Sequence, residues 1–386
     1  MVTIAAMTLA LCFELLYAGM LPGYLRSMEE DVVEMEVGDI QIHALGYIDN
    51  PTIYTQITDV EGVLRRLEEA GYPASPRVLA GGLAAAGKYA SGVVFRGIDV
   101  PRDAEVSRVH ERLASGNWLD PADAHGVVVG RTLAETLDVG SGSEIVVLSQ
   151  AADGSMANDL YIVRGVLASV EENTDRAAVF MNLNALRELL VIPDGVHQVV
   201  VRRPADVDLD TAAAIVAALA PGLDTRDWRQ IMPVIASMLE STQGAIYIIF
   251  FVIYIAVAIL ILNAMLMAVF ERIREFGVLK ALGVGPRLLM SLLLAESGIQ
   301  TGLAVLLGVA FALPGMWYLS EVGINVGALG GTAAMGVVMR QVWYGIYDVG
   351  TVQGPVIMLV VIVFLATLYP AFKAAYMSPA EAMRHR

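Results

Sequence analysis

Four runs of apolar residues, each long enough to cross a hydrocarbon core, punctuate the chain. Residues 2–20 are apolar except for Thr3, Thr8 and Glu14, and residues 245–270 hold only Asn263 as a strongly polar member. Residues 288–313 are interrupted by Glu296 and Gln300, and residues 355–371 stay apolar until Lys373. At about 1.5 Å per helical residue each run reaches about 30 Å, the fourth with help from its flanks. The pattern predicts an α-helical membrane protein with four transmembrane helices, over residues 1–20, 245–270, 288–313 and 355–373. A 224-residue segment, 21–244, is inserted after the first, a connector, 271–287, joins the second to the third, a loop, 314–354, precedes the fourth, and a tail, 374–386, ends the chain.

Inside 21–244 the periodicity changes to short elements of both kinds, predicting an inserted extracytoplasmic α+β domain. Residues 60–70 place Val60, Val63, Leu64 and Leu67 on one helical face with charges opposite. Residues 126–130, 143–148, 160–167 and 197–203 read as strands, and 131–137, 182–190 and 209–219 as helices. From Asp227 the chain reads as helical straight into the second span. An unbroken helix over 234–270 measures about 55 Å, far more than a bilayer needs, unless Gly244 breaks it into a hinge.

Charge sets the orientation. The connector carries Arg272, Arg274, Lys280 and Arg287, and the tail carries Lys373, Arg384 and Arg386, so both are expected on the cytoplasmic side. Between Leu21 and Gly244 there are 33 acidic against 17 basic side chains, a net of −16, which marks a water-facing body and argues against nucleic acid as a partner. No Lys or Arg precedes Arg26 and bulky Leu11 precedes Cys12, so neither a cleaved signal nor lipidation of Cys12 is expected. The missing basic start also fits residues absent upstream of Met1. The aromatics Trp317, Tyr318, Trp343, Tyr344 and Tyr347 suit a belt at the outer interface.

Composition adds little beyond this: 56% hydrophobic residues, a mean hydropathy of +0.61 and a single Cys. Of the candidate chemistry, residues 81–88 (GGLAAAGK) imitate a phosphate-cradling loop, but Tyr89 stands where a Mg²⁺-holding Ser or Thr is required. The flanks read as two strands around a turn, with no helix to receive a phosphate. The five His residues are scattered, without Cys partners, so neither a metal site nor a catalytic residue is assigned. Two carboxylates, Glu14 and Glu296, lie inside spans, where a charge is costly enough to suggest a role. Neither has an obvious Lys or Arg partner in a neighbouring span; Glu296 is expected to be protonated or hydrogen-bonded between helices, and Glu14 to face a cavity between two copies.

The connector is short, basic and amphipathic, presents Ile273, Phe276 and Leu279 as apolar candidates, and must stop at Gly283, Gly285 and Pro286. On spacing alone it is equally a partner-docking helix and an ordinary basic loop. Its sequence, Phe270-Glu-Arg-Ile-Arg-Glu-Phe-Gly-Val-Leu-Lys-Ala-Leu-Gly283, resembles the signature connector of the FtsX-type permeases of ABC transporters. Further similarity runs through Pro76-Arg77, Gly87, Gly97-Ile-Asp99, Gly116, Gly130-Arg-Thr-Leu-Ala134, Asp227-Trp228 and Ser378-Pro-Ala-Glu381. The last has the form of a capping box opening a short helix.

The resemblance implies a noncatalytic subunit of a bacterial inner-membrane transporter with a MacB-like periplasmic core domain, working with a second permease copy. Two ATP-binding chains would bind ATP and Mg²⁺ in its stead. It implies that Glu271, Arg272, Ile273, Arg274, Glu275, Phe276, Gly277, Leu279, Lys280 and Gly283 form the coupling helix docked into that ATPase. Four spans without a fused ATPase look most like the lipoprotein-releasing permeases, which imply a lipoprotein substrate, a periplasmic carrier and an apolar cavity between spans one and two of opposite copies. Phe13, Tyr17, Met20, Ile248, Phe251 and Ile255 are its candidate walls. Such permeases usually begin with a basic amphipathic helix, which this sequence lacks; truncation or reduced docking would account for that. A mechanotransmission efflux permease and a nontransporting regulator of cell-wall hydrolases are the alternatives.

Overall fold

The structure, a computed structural model, describes residues 2–192, 194–325, 333–334, 337–338 and 342–376. Two compact units divide the chain: an α+β unit over residues 28–237, and a helical unit built from residues 2–27, 238–325 and 342–376. The helices are α1 (Val2–Val32), α2 (Val60–Glu69), α3 (Val100–Val106), α4 (Arg131–Leu137), α5 (Glu172–Ala177), α6 (Leu183–Leu190), α7 (Leu209–Leu219), α8 (Trp228–Ile231), α9 (Pro233–Glu271), α10 (Ile273–Ala281), α11 (Pro286–Glu321) and α12 (Val349–Tyr376). Ten strands form the principal sheet: β1 (Ile40–His43), β2 (Ala74–Ala86), β3 (Tyr89–Ile98), β4 (Leu113–Gly116), β5 (Gly126–Val129), β6 (Glu144–Gln150), β7 (Met156–Leu167), β8 (Ala178–Asn182), β9 (Gln198–Val201) and β10 (Asp224–Asp227).

The sheet runs β10-β1-β9-β2-β3-β8-β5-β7-β4, and β6 pairs with both β2 and β7. Those two extra pairings close a ring, β2-β3-β8-β5-β7-β6. Closure works because β2 and β7 are long enough to serve different partners along their length: Ala74–Arg77 of β2 pair with β9, whereas Gly82–Ala85 pair with β6. The residues that imitate a phosphate loop fall in this hairpin. Gly87 turns β2 into β3 at φ +56°, and a side chain at Gly82 would stand 2.3 Å from the carbonyl oxygen of Leu148 and 2.5 Å from the Phe95 ring. Gly82 therefore lets β6 lie against β2.

The helices of this unit start where short polar side chains take up free amide groups. Asp59 accepts from the Gly62 amide at 3.2 Å to open α2, and Asp208 from those of Asp210 and Thr211 to open α7. The predicted stripe Val60, Val63, Leu64 and Leu67 is buried, and Ile98, Val128, Leu167, Ala178 and Phe180 pack in a core between the sheet and its helices. Arg77 and Asp103 form an ion pair there at 2.8 Å, with side chains 3% and 5% exposed.

A second polar feature lies under residues 44–57. His43, Tyr47 and His197 stack, with ring centroids 5.4 Å apart at each step. His197 Nδ1 accepts from the Leu79 amide at 3.0 Å, and its Nε2 lies 3.2 Å from the Ile53 carbonyl oxygen. Burial pushes His43 down to about 4, against smaller opposing effects from the His197 carbonyl and Asp224; burial also lowers His197 and pushes Tyr47 up to about 12. The unfolded chain protonates His43 near pH 6.5, so acid favours the unfolded state. Stability present above pH 6.5 is lost as pH falls towards 4, by roughly 3 kcal/mol for this residue alone. Chemical denaturation at pH 7 and pH 4.5 checks it: His43→Gln should flatten the pH dependence relative to wild type, and equal slopes would discard this origin.

In the helical unit, α1, α9, α11 and α12 are long and apolar enough to cross a membrane. Met7, Leu11 and Leu15 of α1 meet Ile261 and Met265 of α9, Ala304, Ala312 and Met316 of α11, and Leu359 and Val363 of α12. Small residues allow close approach: a side chain at Gly308 would meet Leu11 at 3.0 Å, and one at Gly315 would meet Leu16 at 2.7 Å. Ser297 and Thr367 exchange a hydroxyl hydrogen bond of 3.0 Å between α11 and α12. The helix containing the predicted first span continues to Val32, α9 passes Gly244 unbroken, and α11 reaches Glu321. Of the predicted aromatic belt, Trp317, Tyr318 and Tyr344 are exposed, Trp343 packs on Tyr24 at 4.4 Å, and the Tyr347 hydroxyl donates to the Leu16 carbonyl at 2.8 Å. The capping sequence 378–381 lies outside the described residues.

Candidate functional site: the connector between the second and third long helices

The connector is a helix of its own because the sequence interrupts both ends. Arg272, at φ −104° and ψ 12°, separates α10 from α9. At the other end Gly283 adopts φ +94°, its amide bonds the Lys280 carbonyl at 3.0 Å, and the Val284 amide reaches back to the Leu279 carbonyl at 3.0 Å. These paired bonds are a Schellman ending, which needs a left-handed residue and so favours glycine. Pro286 then opens α11, its missing N–H costing nothing in a first turn.

α10 is held down by one face. Phe276, 3% exposed, sits among Val269, Leu289, Leu293, Ala371 and Ala374, with Leu279 partly buried beside it. Gly277 is also buried. Glu271, Arg274, Glu275, Val278, Ala281 and Leu282 are exposed, Val278 at 53% and Leu282 at 78%. Phe276 therefore anchors the connector to its own chain, and the apolar side chains presented outward are Val278 and Leu282. Lys280 is half-buried, Ile273 contributes the first residue of the helix, and Gly283 is its terminator.

Glu296 is hydrogen-bonded between helices, and its partner is basic. Arg272 Nη1 lies 2.9 Å from both of its carboxylate oxygens, because the end of α9 brings the guanidinium beside the third turn of α11. The sequence search looked for a partner within neighbouring spans, and this one stands at the break between two helices. A cavity of about 30 Å³ adjoins the pair, lined in part by Ser297, Gln300 and Thr367.

The candidate wall residues divide in two. Tyr17 stacks on Phe13 at 6.3 Å and meets Phe250 edge-on at 5.3 Å, so the second contact joins α1 to α9 within one chain. Glu14 is buried. Phe13, Ile248, Phe251 and Ile255 are exposed, and Met20 is half-buried. Phe250 and Tyr254 were missed by sequence reasoning; their four-residue spacing in a run of aliphatics was the available signal.

The chain thus has four helices long and apolar enough to cross a membrane, an α+β body between the first and second, and a short amphipathic helix between the second and third. Residues 1–219 match the MacB-like periplasmic core domain family and residues 247–379 the FtsX-like permease C-terminal family. The chain belongs to this FtsX/MacB family of ABC permeases, typically noncatalytic membrane subunits, and that membership implies an inner-membrane protein with a periplasmic domain. Among similar proteins are the lipoprotein-releasing system transmembrane proteins LolC of Neisseria meningitidis and of Xylella fastidiosa. The first is 23% identical, over 100% of this chain and 94% of the relative; the second is 23% identical, over 76% of this chain and 73% of the relative. The crystal structure of the periplasmic region of MacB from Actinobacillus actinomycetemcomitans is 13% identical with a TM-score of 0.39, covering 51% of this chain and 91% of that one.

Proposed function

We propose that the chain is the permease subunit of an ATP-driven transporter that extracts lipoproteins from the inner membrane, powered by a separate ATP-binding subunit that holds ATP and Mg²⁺. The observation that carries the reading is the connector. A nine-residue helix fixed to the bundle by Phe276 presents Arg274, Glu275, Val278 and Leu282 outward, the form a helix takes when its apolar tip enters a partner's groove and its charges meet the rim. The basic residues around it support a cytoplasmic α10, with the α+β unit in the periplasm. The lipoprotein substrate is inferred from the likeness to LolC along the whole chain.

In this account ATP-driven closure of the partner displaces α10. The motion passes into α9, whose 39 residues measure about 58 Å, well beyond the bilayer. Exposed Phe13, Ile248, Phe251 and Ile255 supply an apolar surface for acyl chains beside a second permease copy, and a periplasmic carrier receives the product. The test is purification of the tagged chain from native membranes in mild detergent, with mass spectrometry of what accompanies it and measurement of ATP hydrolysis. An ATP-binding subunit and acylated lipoproteins are expected. An ATP-binding subunit with a periplasmic adaptor or a cell-wall hydrolase and no lipoprotein would replace this substrate, and no ATP-binding subunit at all would end the coupling reading.

A further inference from the structure

A break of one residue between two helices is a pivot. Apolar burial of Phe276 anchors α10 without fixing its angle, so directional contacts at the break matter as well. Arg272 supplies them at the pivot itself. Its Nε lies 3.0 Å from Glu275 Oε2 on α10, its Nη1 lies 2.9 Å from both Glu296 oxygens on α11, and its guanidinium carbon stands 5.9 Å from the Phe276 ring. Glu296 is about 15 Å along α11 from Pro286, a depth at which a carboxylate needs a partner. The adjoining cavity, lined by both residues together with Ser297, Gln300 and Thr367, is large enough for one water. Lys373 of α12 lies 5.2 Å over the Phe270 ring and holds the end of α9.

We propose that Arg272 and Glu296 are positioning residues: their ion pair fastens α10 to α11, so that a displacement of α10 moves the third long helix together with the second. Without the pair α10 swings about Arg272 and the displacement is absorbed at the pivot. The proposal deepens the coupling role given above and rests on it for its functional consequence, whereas the geometric part stands alone.

The experiment uses the full chain in lipid nanodiscs, with Cys12→Ser and spin labels at Val278→Cys on α10 and Leu292→Cys on α11, both exposed positions. Pulsed dipolar spectroscopy should give one narrow distance distribution. Glu296→Gln should widen it at least two-fold, and the exchange Arg272→Glu with Glu296→Arg should narrow it again, because the transplanted guanidinium then faces carboxylates at positions 272 and 275. A distribution unchanged by Glu296→Gln overturns the proposal, and an exchange as wide as the single variant overturns the assignment to this pair. With the ATP-binding subunit present, Glu296→Gln should retain that subunit yet release at least five-fold less acylated protein per ATP hydrolysed. Unaltered release per ATP overturns the functional half. Failure of even the wild-type chain to retain an ATP-binding subunit refutes the coupling role, and the distance measurement still decides the fastening.

Discussion

Leu282→Asp is expected to strip the ATP-binding subunit from the purified permease while leaving the permease itself intact. Leu282 is 78% exposed at the outer end of α10 and touches no core, so a charge there costs the isolated chain little. In a partner's groove the same charge would be buried without a counter-ion. Truncating an interfacial anchor costs about 2–4 kcal/mol, or roughly 30- to 1,000-fold in affinity. Val278→Asp should act in the same direction. Phe276→Asp gives a different result, because its side chain lies inside the bundle against Leu289, Leu293 and Ala371. It should lower the yield of folded permease as well as subunit retention. Quantitative pull-down together with size-exclusion profiles of the three variants separates the cases; full retention by Leu282→Asp would mean that the outward face of α10 is not the docking face.

Asp103→Ala is expected to be the most damaging single change in the α+β unit. It leaves the Arg77 guanidinium, 3% exposed, without the carboxylate 2.8 Å away, and removes the acceptor for the Ser75 hydroxyl at 3.2 Å. Breaking one side of a buried pair costs about 3–5 kcal/mol, since the remaining charge loses the carboxylate that offset its desolvation. Replacing both residues by apolar ones, as in Arg77→Met with Asp103→Leu, removes both buried charges and should recover most of that loss. Chemical denaturation followed by near-ultraviolet circular dichroism reads both variants. A loss below about 1 kcal/mol for Asp103→Ala would show that the site relaxes or admits water.

The features legible in the sequence are those written by local periodicity. The long apolar helices, the α2 stripe, α4, α6, α7 and the β2–β3 hairpin follow from spacing, turn glycines and capping residues within a few positions of each other. Long-range pairings are not written that way. The parallel match of β3 with β8 and the antiparallel match of β2 with β6, which together close the ring, join segments that share only their apolar alternation.

The connector shows the same limit in a sharper form. Its amphipathic pattern identifies α10 but cannot say which apolar residues face inward, because the bundle and a partner's groove both take aliphatic or aromatic side chains. Phe276 and Val278 are equivalent on that criterion, and only the packing of α11 and α12 distinguishes them. The pairing of Arg272 with Glu296 stayed hidden because it joins a helix junction to the third turn of another helix, 24 residues away. Hydropathy marked Glu296 as costly without indicating who compensates it.

The most direct measurement reconstitutes the permease with its co-purified ATP-binding subunit in proteoliposomes holding a fluorescent triacylated protein, and follows release of that protein into the soluble fraction. The account predicts release that requires ATP and Mg²⁺ and is abolished by Leu282→Asp. ATP hydrolysis that proceeds normally while the acylated protein stays in the vesicle membrane would contradict it.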